Sequence, residues 1–208
     1  MDDSVGQNYL NDAVATFRDY KKLAERALAQ VRDEEFFTTL DEEANSIGVV
    51  IKHMAGNMIS RWTDFLDSDG EKPDRNRDME FVLEPGVTKD DLVSLWKRGW
   101  ALLFEAIEPL RPEDLARNVY IRGKAHTVVE AINRQLTHYA YHTGQIVLLA
   151  KHLRSSEWQS LSIPRNRSAE FNAYLAQSVP GGGAEDAARR RSRFDEPQDF
   201  IRDSENER

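Results

Sequence analysis

The chain has no cysteine, so it can form no disulfide, offers no thiolate to a metal and carries no cysteine nucleophile. That absence fits a reducing compartment, and any thiol chemistry has to arrive with a cofactor. Basic charge is also short, with Lys+Arg 28 against Asp+Glu 36 and a formal net charge of -8. A phosphate backbone or an anionic membrane surface attracts a net basic partner, so no nucleic acid and no membrane are expected among the partners. Long apolar runs are missing too. No stretch approaches the roughly 18 consecutive apolar residues of a membrane span. The opening residues, MDDSVGQNYL, place acids where a secretory signal would carry Lys or Arg. A cytoplasmic location is the resulting expectation.

What is present suffices for one ordinary domain with its own core plus a tail: 208 residues, 40% of them hydrophobic. Leu10, Val14, Phe17, Leu23, Ala24, Ala27, Leu28 and Val31 recur close to the helical period and predict a first helix over Gln7 to Val31. Asn45 and Ser46 can cap a second helix that runs to about Leu66. The Asp-, Gly- and Pro-rich segment 67–78 reads as a charged loop. Thr88 with Asp91 three residues on resembles a capping box and opens a third helix, closed near Glu108 by Pro109 and Pro112. Residues 118–124 suggest two short strand-like arms around Gly123. A long fourth helix follows from Val128 to Leu153 with Thr127 as its cap, and Ser168 caps a short fifth that ends before Val179. Beyond Pro180-Gly181-Gly182-Gly183 the chain is charged and poor in aliphatics. The expectation is an all-α four-helix bundle with a short fifth helix over residues 1–179, and a disordered tail over 180–208.

The five histidines carry the candidate chemistry. His138 and His142 are four apart within the fourth helix, so they project from one face, one turn apart. Ala131, Leu149, Gln135 and Gln145 fall within about 60° of His138 on a helical wheel. A buried ligand pair has these neighbours, and so do two histidines at the edge of a core. His53 shares a stripe with Asn57, Ser60 and Asp64, while Met54, Met58, Trp62 and Phe65 lie opposite. The wheel reads that stripe as the solvent face of an amphipathic helix. His126 precedes the fourth helix, and His152 lies roughly 21 Å beyond His138 along it, too far to share an ion.

The pairing of IKHMAGNMISRW on one helix with LTHYAYHTGQI about eighty residues later resembles the DinB-like (YfiT-like) metalloenzyme superfamily, within a branch of unknown function. The likeness is carried further by Asn45 to Phe81 and by His142 to Leu153, and covers most of Gln7 to Gln177. It implies a DinB-like bundle in which His53, His138 and His142 bind one divalent metal ion. Three imidazoles leave one position of a Zn2+ ion open, and such ligation also accepts Ni2+ or Fe2+. Members of the superfamily are similar to thiol-dependent S-transferases and maleylpyruvate isomerases, which implies a low-molecular-weight thiol activated on the metal to attack a small-molecule substrate. Asn57, Arg61 and Gln145 are candidates to orient ligands or bind that substrate. Lys72, Arg75 and Arg77 in the charged loop could close over an anion. A homodimer is expected from the family likeness. Two other readings stay open: a non-catalytic dimeric helical module with structural or no metal, and a metal-dependent hydrolase with Asp64 or a loop carboxylate as base.

Overall fold

Side-chain caps start the long helices where the sequence places them. Ser46 Oγ accepts from the Val49 N–H at 3.3 Å. Thr88 and Asp91 satisfy each other's backbone N–H groups, and Thr127 and Glu130 do the same. Each reciprocal cap pairs two of the four N–H groups that a helix start leaves unbonded. The computed structural model describes residues 3–178 and 194–206. It is mostly helical: α1 (Asp3–Leu28), α2 (Asp33–Phe36), α3 (Ile47–Trp62), α4 (Lys89–Ile107), α5 (Val128–Arg154), α6 (Ser168–Ser178) and α7 (Asp195–Asn206). Among the described residues the strands are β1 (Asn118–Ile121) and β2 (Lys124–Thr127), paired antiparallel with Ile121 opposite Lys124. The two residues between them, Arg122 and Gly123, have φ of 55° and 71°, the left-handed pair that matches the twist of a tight hairpin.

Helix α3 packs along α4 and α1 along α5, while α3 also meets α5 and α1 meets α4. Phe17, Trp62, Trp96, Trp100 and Tyr139 fill the space between them and are each at most 2% exposed. Phe17 stands edge-on to Trp62 at 6.0 Å and Trp96 edge-on to Trp100 at 5.4 Å. Trp158 is only partly buried against this core. A short chain of hydrogen bonds crosses the core: Trp62 Nε1–H donates to Tyr139 Oη at 3.0 Å, and Tyr139 Oη–H donates to Asn57 Oδ1 at 3.0 Å.

Two expectations are corrected. Helix α3 stops at Trp62 rather than Leu66, because Thr63 turns its hydroxyl back to the Ile59 carbonyl and Asp64 adopts a φ of 47°. Phe65 is thereby folded beneath Trp62, with ring centroids 4.8 Å apart. The tail expected to be disordered contains α7. Phe200, 5% exposed, packs edge-on to Phe171 and at a tilt to Tyr174 of α6, with the Arg167 guanidinium over its ring. Asp195 pairs with Lys22 and Arg26 of α1. One buried aromatic and one anchored carboxylate supply the tertiary contacts that composition averaged over the segment conceals. Residues 180–193, 207 and 208 of the tail, and residue 179 before it, lie outside the described residues.

The loop after α3 is tied down through Asp69, Gly70 and Lys72. Ser60 Oγ–H donates to the Gly70 carbonyl at 2.8 Å, and the Lys72 N–H donates to Ser60 Oγ at 3.0 Å. The Asp69 carboxylate accepts from the backbone N–H groups of Glu71, Arg122 and Gly123 at 2.7, 2.8 and 2.7 Å. Gly70 N–H adds a bond to the Tyr120 carbonyl. The loop is thus fastened to the β1–β2 hairpin, and the two form one wall over α3.

Candidate metal centre

Helix α3 brings His53 and helix α5 brings His138 and His142 to one point. His138 Nε2 lies 3.3 Å from His53 Nε2 and 3.1 Å from His142 Nε2. One ligand nitrogen from each of the three lies within 4.8 Å of the others, a group that could hold a metal ion. Zinc–nitrogen bonds of about 2.0–2.1 Å spread at the tetrahedral angle put neighbouring nitrogens about 3.3–3.4 Å apart. The two separations from His138 lie at or slightly below that spacing.

The outer ring nitrogens decide which way the lone pairs point. His53 Nδ1 lies 2.8 Å from Glu80 Oε2, so it carries the proton and donates it. His142 Nδ1 lies 2.7 Å from Gln145 Oε1, and Gln145 Nε2–H donates to Tyr141 Oη at 3.1 Å, which fixes the amide with its oxygen toward the imidazole. Both rings therefore turn a bare Nε2 lone pair toward His138 Nε2. A single N–H on His138 can satisfy one of the two. The other Nε2 is then left without a donor, and a cation between the three rings would satisfy all three lone pairs at once. Burial, then repulsion from His142 and His53, pushes His138 down to about 3, and burial pushes His142 down to about 4. Both are neutral at pH 7, the form that binds metals.

The carboxylate behind His53 is the residue that sequence reasoning misses. Glu80 is 6% exposed. It accepts from Arg75 Nε at 2.7 Å and Arg75 Nη2 at 2.9 Å as well as from His53. Burial raises its pKa, but the hydrogen bonds from His53 and Arg75 outweigh that and leave it below the usual carboxylate value. Phe81 stacks on the His53 ring at 4.7 Å, and the Arg77 guanidinium lies 5.0 Å from the Phe81 ring centroid. One signal does lie in the sequence. Gly56 sits in mid-helix, and a Cβ there would stand 2.6 Å from Glu80 Oε1. A glycine inside a helix costs about 1 kcal/mol relative to alanine and usually marks such a close approach.

Most of the stripe expected to face solvent is buried: His53, Asn57 and Ser60 are 3–5% exposed, as is Arg61 beside them, whereas Asp64 is exposed as expected. A wheel gives which residues share a face but not what covers it, and here the covers are α5 and the 67–78 loop. Arg61 lies under Gly70, where a Cβ would stand 2.9 Å from Arg61 Cδ. Asn57 and Arg61 line a cavity of about 430 Å³ together with His53 and His138. Arg75 and Arg77 of the loop line it too, whereas Lys72 and Asp64 line a separate cavity behind α3. Gln145 borders a third cavity and is joined to the cluster through His142. His126 on β2 and His152 near the end of α5 stand outside the cluster.

Fold and site define a mostly helical protein that gathers three histidines, from two helices distant in sequence, into a group able to hold a metal. The chain belongs to the family described as "Protein of unknown function (DUF1572)", which matches over residues 4–167. Comparison with curated proteins and with solved structures finds no match. Among the described residues no helix is long and apolar enough to cross a membrane.

Proposed function

We propose that this protein is a divalent-metal-dependent enzyme built on a DinB-like four-helix bundle, with His53, His138 and His142 as its ligands and Zn2+ first, Ni2+ or Fe2+ next, as the ion. The observation that carries the reading is the pair of outer hydrogen bonds, Glu80 on His53 and Gln145 on His142, which aims two imidazole lone pairs at a third. An ion held by three nitrogens keeps a position for substrate and supplies Lewis acidity enough to ionise a thiol or water at neutral pH. Beside it, Asn57 offers the end of its amide that Tyr139 does not hold, and Arg61 offers fixed positive charge. Among the described residues no carboxylate lines the cavity, so a nucleophile that needs no general base is favoured. A low-molecular-weight thiol meets that requirement better than water, and S-transfer to a small electrophile is the reaction proposed.

A second reading, a non-catalytic dimeric module, draws on Tyr141 and Leu148, two turns apart on α5 and 62% and 64% exposed. Elemental analysis of untagged protein after chelator-free dialysis, beside a His138→Ala, His142→Ala double variant, separates the two. About one equivalent of metal, lost in the variant, is the expected outcome. Wild-type protein that refuses added Zn2+ and Ni2+ would sink the enzyme reading and leave the module.

A further inference from the structure

The cavity beside the histidines is cationic in a protein whose overall charge is -8. Arg61, Arg75, Arg77, Arg122 and Arg134 all line it. Glu71 and Glu80 are the acids that meet these guanidinium groups. Glu80 is held by Arg75 and His53, and Glu71 is shared among Arg75 at 2.9 Å, Arg122 at 3.4 Å and Arg61 at 3.6 Å. Five fixed positive charges thus face two carboxylates, both of them behind the lining rather than in it. Arg77 and Arg134 form no ion pair among the described residues.

Arg61 is the decisive group. It is 4% exposed, yet its Nε and Nη1 have no hydrogen-bond partner, and its contact with Glu71 is longer than a hydrogen bond. Burying a guanidinium with unmatched donors is costly, and stable folds avoid it unless something else supplies the acceptors. Gly70 leaves room for the side chain, since any Cβ there would strike it. The chain therefore keeps a space for a charge that it does not itself neutralise.

We propose that this cavity takes a small organic anion, whose carboxylate or phosphate group is held by Arg61 with Arg134 beside it while the rest of the molecule reaches His53 and His138, the two histidines of the cluster that line it. This rests on the reading of those histidines as the reaction centre. The volume of about 430 Å³ suits a small metabolite. An oxygen-rich anion can accept from several guanidinium groups at once, and the same charges repel cationic compounds.

Calorimetric titration at low salt with inorganic phosphate and with malonate tests this, on protein as purified and on chelator-stripped protein, in wild type and in Arg61→Met. The preferred anion identifies the group as phosphate or carboxylate. The variant is expected to bind it at least about tenfold more weakly in both forms, with metal content unchanged. Melting temperature distinguishes a binding residue from a structural one. Removing an unmatched buried charge should leave it equal or higher, because Glu71 keeps Arg75 and Arg122. Arg61→Lys, which keeps the charge but not the fork, is expected to fall between. Failure of wild type to bind either anion, equal binding by Arg61→Met, or loss of folding in that variant would overturn the proposal. Binding abolished by chelator but indifferent to Arg61 would place the anion on the ion instead, and would overturn it equally. Protein that holds no metal but shows the Arg61-dependent loss would sink the metal reading alone.

Discussion

Replacing Glu80 by Gln probes the centre without touching a ligand. The carboxylate receives three hydrogen bonds on two oxygens, from His53 Nδ1 and from Arg75 Nε and Nη2, all between 2.7 and 2.9 Å. An amide offers one oxygen where two acceptors are needed. If the oxygen stays with Arg75, the NH2 group meets His53 Nδ1 and forces the ring into its other tautomer, with the proton on Nε2 and the lone pair turned away from the cluster. If the oxygen turns to His53, the NH2 group opposes Arg75. Losing such an outer partner lowers metal affinity by about 10- to 100-fold, or about 1.4 to 2.7 kcal/mol. Competition of wild type and Glu80→Gln with a chromophoric chelator for Zn2+ reads the change directly, with circular dichroism as the check on folding. Glu84→Gln is the control, since Glu84 is an exposed carboxylate paired with Lys52. Unaltered affinity in a folded Glu80→Gln protein would refute the argument that Glu80 sets the tautomer of His53.

Gly56→Ala should reach the same residue from the other side. Its Cβ displaces Glu80, and we expect weaker Zn2+ binding in the same competition assay together with a loss of about 1–3 kcal/mol by urea denaturation. Tyr139→Phe leaves Trp62 Nε1–H and Asn57 Oδ1 unmatched in the core, which should lower stability by about 2–4 kcal/mol, measured the same way. Glu35 accepts from Arg32 through its side chain and its backbone N–H, and from Arg154, and is held down to about 2. A depressed carboxylate stabilises the fold above its unfolded value near 4.5, and that contribution fades as pH falls toward 2. Glu35→Gln should therefore melt below wild type at pH 7, and the gap should close between pH 4.5 and 2 in thermal scans. A gap that stays constant across that window would refute the assignment.

The helices were legible because their ends are chemically marked. Thr88 with Asp91 and Thr127 ahead of Val128 fix the starts of α4 and α5 to the residue, and the i, i+4 spacing of His138 and His142 survives any small error in register. The His53 stripe was misjudged because amphipathic patterning assumes that polar means wet. Here most of the polar row is covered by α5 and the returning loop and lines an internal cavity, and the periodicity is identical. Glu80 was out of reach for a different reason. It stands on a short 3-10 turn, Asp78–Phe81, whose place over α3 depends on how a long loop returns, and no local pattern encodes that path. Helix α7 was hidden because Phe200 is one aromatic among many charges, and its value lies in a contact with α6 that composition does not register.

The buried polar row on α3 also sets alignment. Apolar side chains would let α3 slide along α5 by one turn, about 5.4 Å, and still find grease to touch. His53, Asn57 and Arg61 repeat every fourth residue, so such a slip would bring Asn57 to the place of His53. It would then meet Glu80 and His138 with an amide, while Tyr139 lost its acceptor. Each of those mismatches strands a buried polar group, and together they act as a vernier that admits one setting of two helices 85 residues apart in the chain. The atoms that would grip an ion are therefore the same atoms that tell the chain when it has folded correctly.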